Sequence, residues 1–313
     1  MGLTRTTGGA HRSEYSVKSE AGKKEEERAA YLFLLPWIAG FLLITAGPMA
    51  ISFYISLTDY NLLQAPNWIG TDNYAQMFSD ERLKNSLGVT FVYVLVSVPI
   101  QLAAALGLAL ALDRGMRGLS FYRSVYYLPS LLGGSVAVAV LWRQLFGTGG
   151  LVNQGLEALG VANPPAWISD PSTALGTLVT LNVWTFGAPM VIFLAGLRQV
   201  PTMYYEAASV DGASRFHQFW RITLPLLSPI IFFNLVLQII HAFQAFTQAF
   251  IVSGGTGGPS DSTMFFTLYL YQMGFGSFQM GYASAMAWLL LIIVGAFTAI
   301  NFVASRYWVF YDN

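Results

Sequence analysis

Five polar side chains recur along one apolar segment: Asn234, Gln238, His241, Gln244 and Gln248. Their spacings of 4, 3, 3 and 4 put them on one face of a helix. Phe243, Phe246 and Phe250 are interleaved with them. Amides donate and accept hydrogen bonds, and aromatic rings stack on C–H surfaces. Together they suit a polyhydroxylated solute. Polar groups in an apolar helix are costly and face a bundle interior or a cavity. The stripe therefore reads as the lining of a path, with Asn182 and Trp184 on a neighbouring segment facing it. Gln101 is a further candidate. The same amides can instead bond helix to helix, or to a second chain. Arg143, beside Trp142, can meet a phosphorylated solute such as glycerol 3-phosphate or extend to lipid headgroups.

Nothing in the chain is equipped for catalysis. His11, His217 and His241 stand in separate segments and there is no cysteine, which argues against a His- or thiolate-based metal site. A phosphate-binding loop needs a Gly-rich turn followed by Lys. The last lysine is Lys84; GGAHRSEYSVKSEAGK resembles such a loop only loosely, and GGTGGPSD lacks the Lys. The expectation is a chain that is not an enzyme, binds no cofactor and takes its energy from a partner. The sixteen basic and sixteen acidic residues balance, against a nucleic-acid partner.

The elements that position these residues follow from charge distribution. The 313 residues are 55% hydrophobic and only 10% charged, where soluble chains carry about 25%. Residues 29–58, 85–112, 124–142, 171–197, 222–260 and 262–305 hold no charge. A helix needs about 20 apolar residues to cross about 30 Å of hydrocarbon. The gaps predict an all-α polytopic membrane protein with six transmembrane helices. The excess, roughly 253–280, reads as an external loop with a short amphipathic piece, TMFFTLYLYQM. The organisation is a tail over 1–28, a first crossing over 29–58, a five-helix core over 85–305 and a terminus over 306–313.

Lys and Arg favour cytoplasmic loops. Arg5, Arg12, Lys18, Lys23, Lys24, Arg28, Arg114, Arg117, Arg123, Arg198, Arg215, Arg221 and Arg306 fall on one side. Both termini are expected in the cytoplasm, together with the loop over 201–225. In that loop Pro201 suits a helix start, and Asp211-Gly212 is a turn signal at which Gly tolerates φ > 0. Ser214 can cap a second helix, RFHQFWRI. Leu224-Pro225 reads as a break before the fifth crossing. A helix, a sharp turn and a helix would hang below the membrane, with Tyr204, Tyr205, Phe216, Phe219 and Trp220 as anchors.

The loop also carries a pattern. Glu206-Ala207-Ala208, Gly212, Ile222 and Leu224-Pro225 resemble, at every defining position, the EAA loop of ABC importer permeases. FYRSVYYLPS (121–130), FGAPMVIFLAGLRQVP (186–201), GGP (257–259) and GYASAMAW (281–288) extend the resemblance from about residue 30 to 311. The chain is similar to the carbohydrate-uptake branch, the maltose, glycerol-3-phosphate and multiple-sugar permeases. The short loop between the third and fourth crossings departs from the maltose relative, which has extra spans and a large insertion.

The resemblance implies a type I ABC importer permease fold in a bacterial inner membrane. It implies a coupling loop, with Glu206, Ala207, Ala208, Asp211, Gly212, Ile222, Leu224 and Pro225, docking on a cytoplasmic ATPase. The partners would be a second homologous permease, two ATPase copies holding ATP and Mg, and an extracytoplasmic solute-binding protein. A permease for a non-sugar solute is the nearest alternative. An ion-coupled carrier is disfavoured because no Asp or Glu lies in a crossing. A membrane scaffold that recruits a partner is the alternative outside transport.

Overall fold

A computed structural model describes residues 20–310 apart from 114, 116 and 117, with side chains from residue 30 onward. Residues 1–19 of the expected tail 1–28, residues 114, 116 and 117, and residues 311–313 lie outside that description, whereas residues 20–28 of the tail are helical. The chain divides into two compact units, 1–54 and 55–313.

The first unit is built from α1 (Glu20–Gly40), a π turn (Phe41–Ala46) and most of α2 (Gly47–Ser56). Residues 30–56 are continuously helical and include an 18-residue window of mean hydropathy 1.9. This stretch is long and apolar enough to cross a membrane and lies within the expected first crossing over 29–58. The π turn has a local cause. Pro48 follows directly after Gly47, and a proline ring collides with the carbonyl four residues back. Gly47 instead bonds to the carbonyl of Leu42, five residues back, and the widened turn makes room.

The second unit holds α3 (Asp72–Met77), α4 (Glu81–Asp113), α5 (Leu119–Leu132), α6 (Val136–Leu145) and α7 (Leu151–Ala158). It continues with α8 (Pro171–Trp184), α9 (Gly187–Leu197), α10 (Thr202–Val210), α11 (Arg215–Gln218) and α12 (Leu224–Phe243). α13 (Thr247–Val252), α14 (Phe266–Tyr271) and α15 (Met280–Trp308) complete it. α4 is the axis of the bundle and packs on α8, α9, α12 and α14. Its Leu102, Ala105, Ala109 and Leu112 are buried with Leu181, Met190, Phe193, Leu194 and Phe243. At 33 residues it is about 50 Å long.

Four helical stretches can cross a membrane, and up to six if each bent pair counts as one crossing. The expected third crossing is such a pair: α5 and α6 bend by 95° across Gly133–Ser135. α8 and α9 bend by 41° at Thr185-Phe186. The two bends meet. A Cβ at Gly133 would collide with the Thr185 side chain, and one at Gly187 with the Tyr126 carbonyl. The carbonyl of Thr185 accepts from Ser130 Oγ at 2.7 Å, and that Oγ accepts from Ala188 N–H at 2.8 Å.

Two expectations are corrected. Leu224-Pro225 does not break the chain: a π turn over Phe219–Thr223 carries α11 into α12, with Leu224 N–H bonded to the Phe219 carbonyl. The cause is the same as at Pro48. The piece TMFFTLYLYQM is not an amphipathic surface element either. Met264, Phe265, Phe266 and Leu268 are fully buried, and α14 packs on α4 and α15. Its first buried N–H, at Phe266, donates to Thr90 Oγ1 at 2.9 Å.

Candidate coupling hairpin and translocation face

α10 and α11 form a hairpin below α9 and α12. Pro201 precedes α10 as its N-cap residue. α10 ends through paired bonds: Ala213 N–H to the Ala208 carbonyl at 2.9 Å, and Gly212 N–H to the Ser209 carbonyl at 3.1 Å. This is a Schellman closure, which needs a left-handed residue after the helix. Gly212 supplies it at φ 78°. Ser214 Oγ accepts from His217 N–H at 3.3 Å and caps α11. Gln218 Nε2 donates to Ser209 Oγ at 3.0 Å and ties the two arms together. The Tyr205 and Thr223 hydroxyls share a 3.0 Å bond.

The outer face of the hairpin is open. Val210 is 88% exposed and Phe216 is 74% exposed. A cleft of about 580 Å³ runs between the arms, lined by Ala208, Asp211, Gly212, Ala213, Ser214 and His217, with Arg221 and Ile222 at its base. Glu206 and Asp211 are exposed, with no ion pair among the described residues. All eight residues expected in the coupling loop lie on the hairpin or its return into α12. Above it, Arg198 at the end of α9 stands 3.7 Å from Asp113 at the end of α4.

The polar stripe is divided by the fold. α12 ends at Phe243, and Gln248 belongs to α13, so the five residues do not share one helix face. Four of the candidates, Gln101, Asn182, Asn234 and Gln248, make bonds inside the bundle. Asn182 Nδ2 donates to Gln101 Oε1 at 3.4 Å, and Gln101 Nε2 donates to Thr185 Oγ1 at 3.0 Å. Gln248 Nε2 donates to the Gly133 carbonyl at 3.2 Å. Asn234 is fully buried and donates to the Ile230 carbonyl at 3.0 Å, leaving its own carbonyl oxygen without a partner. Trp184 packs against Trp142, ring centroids 6.0 Å apart and tilted by 36°. Gln238, His241 and Gln244 make no side-chain hydrogen bond among the described residues; His241 and Gln244 are exposed. Beside Gln244 lies a cluster of Phe246, Phe250, Tyr271 and Phe275, each ring within 5.5 Å of the next.

Sequence reasoning missed a polar clamp at the end opposite the hairpin. Asp80 Oδ2 accepts from Tyr269 at 2.8 Å and Tyr282 at 2.7 Å, and Oδ1 accepts from Leu83 N–H at 3.0 Å. Partial burial alone would raise the Asp80 pKa. The Tyr282, Leu83 and Tyr269 donors outweigh it and hold the carboxyl below its ordinary value. Arg82 makes a bidentate pair with Asp261 at 2.8 and 2.9 Å and lies 5.5 Å over the Tyr269 ring. Asp261, Tyr269 and Tyr282 lie 179 or more positions from the Arg82 and Asp80 they bond, so no local pattern could have shown them.

Long apolar helices about a buried axis, two bent pairs and a protruding hairpin define a multi-pass helical membrane protein. The chain belongs to the binding-protein-dependent transport system inner membrane component family, which matches residues 91–308. It is 50% identical over 299 residues to the probable ABC transporter permease protein YesP of Bacillus subtilis (strain 168), covering 95% of this chain and 97% of that one. It is 29% identical over 280 residues to the lactose transport system permease protein LacF of Rhizobium radiobacter, covering 88% and 93%. Its fold matches, at a TM-score of 0.77 and 23% identity, a chain of a bacterial ABC transporter involved in import of the acidic polysaccharide alginate, covering 92% of this chain and 99% of that one.

Proposed function

We propose that this chain is a permease subunit of a carbohydrate ABC importer and that the hairpin over 201–225 receives the ATP-driven movement. The observation that carries the reading is the Schellman-closed hairpin, placed on the EAA residues of a transport-family chain. Its small residues Ala207, Ala208 and Gly212 and its exposed Phe216 form a surface another protein can approach closely. Two ATPase copies holding ATP and Mg, a second permease and an extracytoplasmic binding protein complete the assembly. The concentration of Lys and Arg on the hairpin side supports cytoplasmic termini.

Carbohydrate is the solute class favoured by the side chains left free. Gln238, His241 and Gln244 offer hydrogen bonds, and Phe246, two residues past Gln244, belongs to a cluster of four aromatic rings. The lactose permease among the relatives supports the same class. The solute moves by alternating access between the two faces of the bundle.

Reconstitution tests the reading. Proteoliposomes holding this chain, the companion permease, the ATPase and the binding protein should take up sugar only with ATP. Uptake in vesicles that lack the ATPase would overturn it.

A further inference from the structure

One cation near the clamp end is left without a counter-charge, and it lines a cavity. Arg143 lies in the last turn of α6, exposed, with no ion pair or side-chain hydrogen bond among the described residues. The cavity measures about 400 Å³ and is walled by Arg143, Thr148, Ser169, Ser253, Thr256 and Gly258, among others; no lining residue is acidic. That volume is within the range of small-ligand pockets, about 300–1,000 Å³. The nearby carboxylates are engaged elsewhere. Asp261 is held by Arg82. Asp170 caps α8, accepting from Ser172 N–H at 2.8 Å and Ser172 Oγ at 2.7 Å. The Thr148 and Ser169 hydroxyls have no partner among the described residues and can donate into the space.

The far wall is a braced glycine loop. Gly254, Gly255, Gly257 and Gly258 all have positive φ, 65–88°. A Cβ on Gly254 would come within 3.7 Å of the Arg143 guanidinium, so a larger side chain there would crowd the cation. Ser253 Oγ donates to the Ala249 carbonyl at 2.6 Å and accepts from Gly257 N–H at 3.2 Å. Gln272 Nε2 donates to the Gly255 carbonyl at 2.7 Å. The loop is continuous with α13, whose Gln248 reaches the bend at Gly133. The cavity and the free amides of α12 therefore flank the same short helix.

We propose that this cavity is a subsite for an anionic carbohydrate, in which Arg143 binds a carboxylate or phosphate of the solute while Thr148 and Ser169 bind its hydroxyls. The proposal rests on the carbohydrate-permease reading. A guanidinium matches the geometry of either anion, and both are recognised through charge-assisted bonds.

Saturation-transfer NMR on the assembled permease–ATPase complex in nanodiscs, without binding protein, tests it. The probes are galacturonate, galactose 6-phosphate and neutral galactose, against wild type, Arg143→Gln and Arg143→Lys. Wild type should bind at least one anionic probe. Arg143→Gln should weaken that binding about tenfold or more, with Arg143→Lys intermediate and galactose changed less than twofold. Which anion responds identifies the carboxylate or the phosphate. The proposal is overturned if wild type binds neither anion, if Arg143→Gln binds them like wild type, or if galactose weakens equally. The last result would mean that Arg143 serves assembly, lipid or a partner protein. ATP-driven sugar uptake in proteoliposomes separates the two failures. Uptake without an Arg143-dependent anion signal removes this subsite alone, whereas absence of any sugar uptake removes the reading beneath it.

Discussion

Gly212 shows why the hairpin was legible in the sequence. Its helix closure depends only on residues within five positions, so spacing alone carries it. A left-handed conformation costs an ordinary residue about 1–2 kcal/mol. Gly212→Val should leave assembly intact but distort the turn, lowering sugar transported per ATP hydrolysed several-fold in proteoliposomes. Gly212→Asn, which tolerates this region, should retain most coupling. The amide stripe was legible in chemistry but not in geometry. Nothing between Gln244 and Thr247 is a Gly or Pro, yet the helix breaks there. The Ala245 carbonyl, freed by the break, accepts from Thr267 Oγ1, 22 positions away, a contact that spacing cannot reveal. The break gives the amides different roles. Gln238→Leu should slow transport with little change in melting temperature. Gln248→Leu, which loses its bond to Gly133, should lower the melting temperature of the detergent-solubilised chain.

At the level of elements, the apolar gaps located the long helices, four of which can cross a membrane, or up to six if each bent pair counts as one, while bends and π turns arise from packing. The 95° bend between α5 and α6 needs Gly133 against Thr185, residues more than fifty positions apart. The π turn before Pro225 was misread as a break because the widened turn absorbs the proline. A further contact links elements distant in sequence. The end of α15 braces the root of the hairpin: Phe310 N–H donates to Ser228 Oγ at 2.8 Å. Trp308 packs 6.1 Å from Phe232, and Phe310 lines an apolar cleft with Tyr204, Ile222, Pro225 and Leu226. Trp308→Ala should loosen that root. Hydrogen exchange of backbone amides over 202–225 should accelerate, while exchange in α4 stays unchanged; equal protection in both would show that the brace does not hold the hairpin.

Across the second unit, α4 joins two polar ends separated by about 50 Å. One end holds the Asp113–Arg198 pair and the hairpin. The other holds the clamp of Asp80, Arg82, Asp261, Tyr269 and Tyr282, which fastens α4 to α14, α15 and the 257–263 loop. The clamp predicts a defined acid response. The Asp80 pKa lies below its unfolded value of 3.8, so the folded state prefers the ionised form. Its stabilising contribution is fully present above the unfolded value and is lost as pH falls through the folded value. Asp80→Asn removes the ionised acceptor of two phenol bonds. It should therefore melt at a lower temperature than wild type at pH 7, where the carboxylate is fully engaged. Below pH 4 the wild-type advantage should shrink as Asp80 takes up its proton, and the two melting curves should converge. A wild-type advantage independent of pH between 7 and 3 would show that packing of Tyr269 and Tyr282, rather than the Asp80 charge, fastens this end.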